Sequence, residues 1–124
     1  MSRPHDNTRG LGRRGEDIAQ SFLEHKGFRI LARNVHLRYA ELDLVALDRD
    51  ALCFIEVRLR RSQRFGTGAA SVDARKRRRI VRAASEVLAT RQLPRFRRVR
   101  FDVVAIDAWL DPPRVRHIRD AFHA

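Results

Sequence analysis

Three runs of strand length stand in close succession in this chain: residues 28–35 (FRILARNV), 40–47 (AELDLVAL) and 51–59 (ALCFIEVRL). All three are rich in β-branched, aromatic or aliphatic residues. Their connections, the second an Asp48-Arg49-Asp50 turn, are short enough for antiparallel hairpins. A helical pattern over residues 10–26 precedes them, with Ile18, Ala19, Phe22 and Leu23 at helical spacing and Gly27 as the stop. Residues 61–71 read as a loop. A second helix is expected over 72–92, where Val72, Ile80, Val81, Ala84, Val87 and Leu88 make the apolar stripe and Pro94 ends the element. Residues 99–106 (VRFDVVAI) form a fourth strand, Pro112-Pro113 breaks the chain, and residues 114–118 suit a short edge strand. The order αβββαββ, with a helical crossover after the hairpins, implies an α/β fold: a mixed sheet with helices packed on it.

A chain of 124 residues suits one domain, expected over residues 10–124 behind a flexible basic arm over 1–9. No apolar run approaches the roughly 18 residues of a membrane span, and the basic N-terminus lacks the apolar core of a secretory signal. The single cysteine, Cys53, lies in an apolar strand and reads as a small buried hydrophobe in a reducing cytoplasm. The excess of 27 Lys+Arg over 15 Asp+Glu, a net charge of +12, favours a polyanionic partner, most often nucleic acid. Nearly all of that charge is arginine; Lys26 and Lys76 are the lysines.

Against this basic background, three carboxylates interrupt the strands: Glu41, Asp43 and Glu56. Charges inside apolar strands are costly unless paired or metal-bound. Alternation puts Glu41, Asp43 and Val45 on one face, and Phe54, Glu56 and Arg58 on one face of the next strand. If those strands are neighbours, about 4.8 Å apart, Asp43 and Glu56 converge. Their mutual repulsion raises one pKa unless a cation lies between them. An oxygen-only donor set suits Mg²⁺ or Mn²⁺; Cys and His with zinc spacing are absent. On the residues alone the alternative stays open, and the abundance of arginine favours it: a salt-bridge network in which Arg58, Arg60 and Arg38 neutralise the acids. Glu16 has two readings as well, a further ligand above the sheet or a favourable acid in the first turn of a helix. Asp102 reads as structural, and His5, His25, His36, His117 and His123 as scattered surface residues.

The succession GRRGEDIAQSFLEHKGFRILARN, AELDLVALDRDALCFIEVRLR, RFG, a Lys-bearing second helix, RFDVVAI and HIRDAF resembles the YraN-like family of small uncharacterised bacterial proteins. That family lies in the restriction-endonuclease-like PD-(D/E)xK nuclease superfamily and is similar to archaeal Holliday-junction resolvases. The resemblance implies a restriction-endonuclease-like αβββαβ core. It also implies metal-supporting Glu16, metal-binding Asp43 and Glu56, and a backbone carbonyl ligand from Val57. Glu41 matches the glutamate of a G-E-I-D motif, in which Ala40 replaces the usual glycine. Arg58 stands at the position of the catalytic lysine, Arg60 matches a basic residue two further on, and Lys76 the second-helix lysine. Mg²⁺ or Mn²⁺ would be the cofactor, and a homodimer follows by analogy with enzymes that cut two strands symmetrically.

Arginine supplies charge and hydrogen bonds but transfers no proton at neutral pH. Two functions therefore follow from the resemblance. One is a metal-dependent endonuclease acting on branched or structured DNA, centred on Glu16, Asp43, Glu56 and Arg58. The other is a nucleic-acid-binding protein that keeps the nuclease fold without its chemistry. In both, Arg60, Arg61, Arg64, Arg75, Lys76, Arg77, Arg78 and Arg79 are candidate phosphate contacts. A weaker third reading is a basic RNA- or ribosome-associated protein, with Phe65 the obvious stacking residue in a loop.

Overall fold

A computed structural model describes residues 4–62 and 72–124, with side chains from Arg14 onward. Arg64 and Phe65 lie outside the described residues. The order is α1 (Pro4–His25), β1 (Arg29–His36), β2 (Glu41–Asp48), β3 (Ala51–Arg60), α2 (Ala74–Thr90), β4 (Arg98–Asp107) and β5 (Arg114–Phe122). Helix α1 begins at Pro4, where the sequence reading has an aperiodic arm and a helix from Gly10. It ends as its sequence requires. Gly27 adopts φ 93, a conformation open to a residue without Cβ, so the Phe28 N–H closes on the Leu23 carbonyl at 3.0 Å.

The five strands lie in chain order, β1-β2-β3-β4-β5. Pairs β1–β2, β2–β3 and β4–β5 are antiparallel, and β3–β4 is parallel. The parallel pair needs the crossover that α2 provides. Arg49 takes a left-handed φ of 56 at the β2–β3 turn. Strand β5 pairs with β4 from Arg114 to Phe122, longer than the 114–118 expected.

Alternation divides the sheet into two apolar faces. On one, Val45, Phe54, Phe101 and Val103 pack with Ile80, Ala83, Ala84 and Val87 of α2. On the other, Leu44, Ala46, Cys53, Ile55, Val104 and Ile106 pack with Ala19 and Leu23 of α1, both 0% exposed. Each helix thus covers one face, which buries both rows along the middle of β2, the first six residues of β3 and the last seven of β4. Burial also pushes the Cys53 thiol up to about 12, in keeping with a structural cysteine. No described helix is long and apolar enough to cross a membrane.

Candidate functional site

The β2–β3 ladder runs from Asp48↔Ala51 to Leu44↔Ile55, and one step beyond it the Asp43 side chain takes over from the backbone. Its Oδ2 accepts the Val57 N–H at 2.9 Å. This bond fixes Asp43 against β3 beside Glu56, which is 5% exposed. Tyr39, Ala40, Glu41, Asp43, Glu56, Lys76, Arg79 and Ile80 together line a cleft of about 270 Å³. The sheet supplies its acids and α2 its cations.

Lys76 is held in place from its own backbone. Asp73, the residue before α2, accepts the Lys76 N–H on Oδ1 at 2.9 Å and caps the helix. The Lys76 ammonium then reaches Glu56 Oε1 at 2.8 Å. Arg58 Nη1 lies 3.7 Å from the same oxygen. The position two residues after Glu56 therefore carries an arginine, while the closer cation on that carboxylate is a lysine from another element. Sequence reading passed over Asp73; an Asp between the polar loop and the basic, helix-forming run from Ala74 was the available signal.

The electrostatics of the cleft are those of acids held together. Burial, and then the neighbouring Glu56 charge, push the Asp43 carboxyl up to about 7; the Val57 amide and Lys76 pull in the opposite direction. Glu16 adds to the repulsion on Asp43. Glu16 is itself 9% exposed, and its Oε2 has no hydrogen-bond partner. Burial raises its pKa above the ordinary carboxylate value, and a hydrogen bond with Asn34 works against the rise. Glu16 does not line the cleft.

Of the arginines expected to neutralise the acids, Arg58 reaches Glu56, whereas Arg60 pairs with Asp107 at 3.6 Å and Arg38 lies 5.8 Å from the centre of the Tyr39 ring. Arg61, Arg75, Arg78 and Arg79 are exposed. Arg77 is committed elsewhere: its Nε donates to the Val72 carbonyl at 2.8 Å and its guanidinium lies 5.6 Å from the centre of the Phe122 ring.

Asp102 lies on the opposite, α1-facing side of the sheet. It is 0% exposed and bonded to Arg100 Nε at 2.9 Å, His117 Nε2 at 2.8 Å and the Asp120 N–H at 2.9 Å. Burial alone would raise its pKa, but these partners hold it down to about 2. Its structural reading agrees with this placement. His117 is a correction: its side chain is 2% exposed and packs edge-on to Phe28, because it pairs with Val104 on the α1-facing side of the sheet.

The family model described as "Uncharacterised protein family UPF0102" matches residues 15–106, the span that contains Glu16, Asp43, Glu56, Arg58 and Lys76. The chain belongs to this family. It is 50% identical over 109 residues to a UPF0102 protein of Xanthomonas euvesicatoria, covering 88% of each chain. It is 45% identical over 118 residues to one of Symbiobacterium thermophilum, covering 94% of this chain and 99% of the other. A UPF0102 protein of Rhodococcus opacus is 46% identical over 114 residues, covering 90% and 95%. The UPF0102 family is thus shared with relatives that span nearly their whole length.

A hard divalent cation can be tested against these residues. Among the described residues no group of three or more His, Cys, Asp or Glu side chains is arranged to hold a metal. The donor set is instead two carboxylates, Asp43 and Glu56, in a polar cleft, with a third, Glu16, whose Oε2 is buried without a hydrogen bond. Mg²⁺ commonly takes one or two carboxylates and completes its shell with water and substrate phosphate. The residues fit such a cation, not a closed protein cage.

Proposed function

We propose that this protein is a divalent-metal-dependent endonuclease acting on DNA, with branched or structured DNA as the substrate class. The observation that carries the proposal is the meeting of Asp43, Glu56 and Lys76 in one cleft of a chain with net charge +12. Acids that repel one another are a poor way to stabilise a fold, but they suit a site that takes up positive charge.

Asp43, Glu56 and the Val57 carbonyl would hold Mg²⁺ or Mn²⁺, with Glu16 as a support. When bound, the cation would lower the pKa of a water and neutralise charge on the phosphate oxygens. The chain's own residues do the rest. The Val57 N–H orients Asp43, and the Asp73 cap orients the start of α2 so that Lys76 stands at the cleft. Lys76 stabilises negative charge that develops on the scissile phosphate. Arg58 adds a fixed positive charge beside it without exchanging a proton. Exposed Arg61, Arg75, Arg78 and Arg79 steer the polyanion toward the cleft.

The test is cleavage of branched, duplex and single-stranded DNA by the purified chain with Mg²⁺ or Mn²⁺. Metal-dependent cleavage that is lost in Asp43→Ala is the expected result. Absence of cleavage on all three substrates, or cleavage that survives Asp43→Ala, would sink the proposal. One feature favours a second reading, a DNA-binding protein that keeps the nuclease fold without its chemistry: Lys76 and Arg58 both crowd Glu56 Oε1, where a cation would bind. Steeply salt-dependent DNA affinity with no response to metal would support that reading over the first.

A further inference from the structure

Beyond the cleft, the register of β3, β4 and β5 sets out residues row by row on the α2-facing side. The first row is Glu56–Val103–Ile118. The next is Arg58–Ala105–Arg116, and the last is Arg60–Asp107–Arg114. Residues directly opposite one another share a face, as do residues two apart along a strand. Two rows of arginines therefore adjoin the candidate site, spread over three strands and so about 10 Å wide, with the rows about 7 Å apart. Sequence reading named Arg58 and Arg60; Arg114 and Arg116 come from the edge strand, outside the matched family span.

One acid lies within these two rows. Asp107 is buried, and its Oδ1 is 3.6 Å from Arg60 Nε and 3.5 Å from Arg116 Nη2. These are ion-pair distances without hydrogen bonds. Asp107 Oδ1, Arg60 Nε and Arg116 Nε are all buried and without a hydrogen-bond partner. A single carboxylate thus spaces two guanidinium groups and leaves an excess of positive charge. The Arg58 and Arg116 side chains remain 30% and 31% exposed, and Arg114 is exposed.

We propose that this arginine shelf is the track on which the phosphate backbone of duplex DNA lies as it enters the cleft. The inference rests on the endonuclease reading for its substrate, and adds a direction: the duplex leaves the cleft across β3, β4 and β5, past Arg116. Charge complementarity chooses the occupant, since beyond Arg58, which also faces Glu56, the three guanidinium groups of Arg60, Arg114 and Arg116 stand beside the single carboxylate of Asp107 and match a run of phosphates.

The experiment is a fluorescence-anisotropy titration of a short labelled DNA duplex with the full chain, without divalent metal, over a series of salt concentrations. Arg116→Ala should reduce the slope of log K against log salt by about 1 and weaken binding severalfold. Arg114→Ala, at an exposed position, should do the same and covers the case in which Arg116→Ala fails to fold. Asp107→Asn should tighten binding. Arg98→Ala, at the far end of β4 beside Asp50, should leave the slope unchanged. An unchanged slope in the folded Arg116 or Arg114 variant, a loss no larger than in Arg98→Ala, or wild-type binding to polyglutamate in place of DNA overturns the shelf. The two proposals fail separately. A chain that shows the expected slopes but cuts no DNA with Mg²⁺ or Mn²⁺ retains the shelf and loses the reaction. A chain that cuts DNA with unchanged variant slopes loses the shelf alone.

Discussion

Lys76 Nζ and Glu56 Oε1 stand 2.8 Å apart and join helix α2 to strand β3 at the floor of the acidic cleft. The two are far apart in the chain, and only the crossover that makes β3 and β4 parallel brings them together. This pairing shifts the question of the missing lysine. The residue two beyond Glu56 is arginine, yet the carboxylate has an ammonium group at closer range.

Lys76→Met should therefore be the more damaging change of the two basic positions. We expect it to lower metal-dependent cleavage by about 10²–10³, the range for removing one preorganised charge at a phosphate. Arg58→Lys should change the rate less than tenfold, because a cation remains beside Glu56. Single-turnover cleavage rates compare the variants. A Lys76→Met protein as active as the wild type would rule out the assigned role.

Asp43→Asn should separate stability from activity. The carboxyl of Asp43 is raised to about 7 by burial and by Glu56, so its charge works against the fold at neutral pH. An amide keeps an acceptor for the Val57 N–H and removes that repulsion. In metal-free buffer at neutral pH we expect a gain on the order of 1 kcal/mol in urea unfolding, with cleavage abolished. A variant less stable than the wild type would show that the acid is structurally paired.

The same shift fixes a pH dependence. With a folded pKa near 7 against about 3.9 unfolded, the native state holds the extra proton, so stability without metal should fall as pH rises from about 4 to 7. Cation binding runs the other way: it needs the carboxylate, so Mn²⁺ affinity should rise over the same interval and level off above it. Thermal melts with and without Mn²⁺ across this range test both signs. Parallel curves would count against the two-carboxylate site.

On the opposite face Asp102 should show the reverse behaviour. Its pKa is held down to about 2 despite burial, by His117, Arg100 and the Asp120 amide. It stabilises the fold above an unfolded pKa of about 3.9, and that contribution disappears as pH falls toward 2. Asp102→Asn should cost about 3 kcal/mol at neutral pH, since it removes the buried carboxylate on which Arg100, His117 and the Asp120 amide converge and leaves Arg100 with Asp48 alone, and should flatten the acid limb of the stability curve. Equal acid limbs in variant and wild type would contradict the pKa assignment.

Much of the architecture is legible in local patterns. Period-2 alternation marks β2 and β3, helical spacing marks the core face of α2, and Gly27 marks the end of α1, because each reflects a contact or a backbone angle that a short segment dictates for itself. The acids Asp43 and Glu56 stand out for the same reason, as charges in apolar strands. What stayed hidden depends on other elements. His117 reads as a surface residue until β5 pairs it with Val104 on the face that α1 covers. Arg60 reads as a partner for the acids until β4 presents Asp107 to it.

The sequence by itself thus determined the elements, their order, the family and the unusual acids, since periodicity, turn residues and motif succession are properties of neighbouring residues. Tertiary structure alone decided which cation faces Glu56, that Asp43 is braced by the Val57 amide, and that Arg116 joins Arg58 and Arg60 on one face. These follow from strand register and from where the crossover helix lands, and both are set by the joint packing of two faces of a sheet rather than by any one segment.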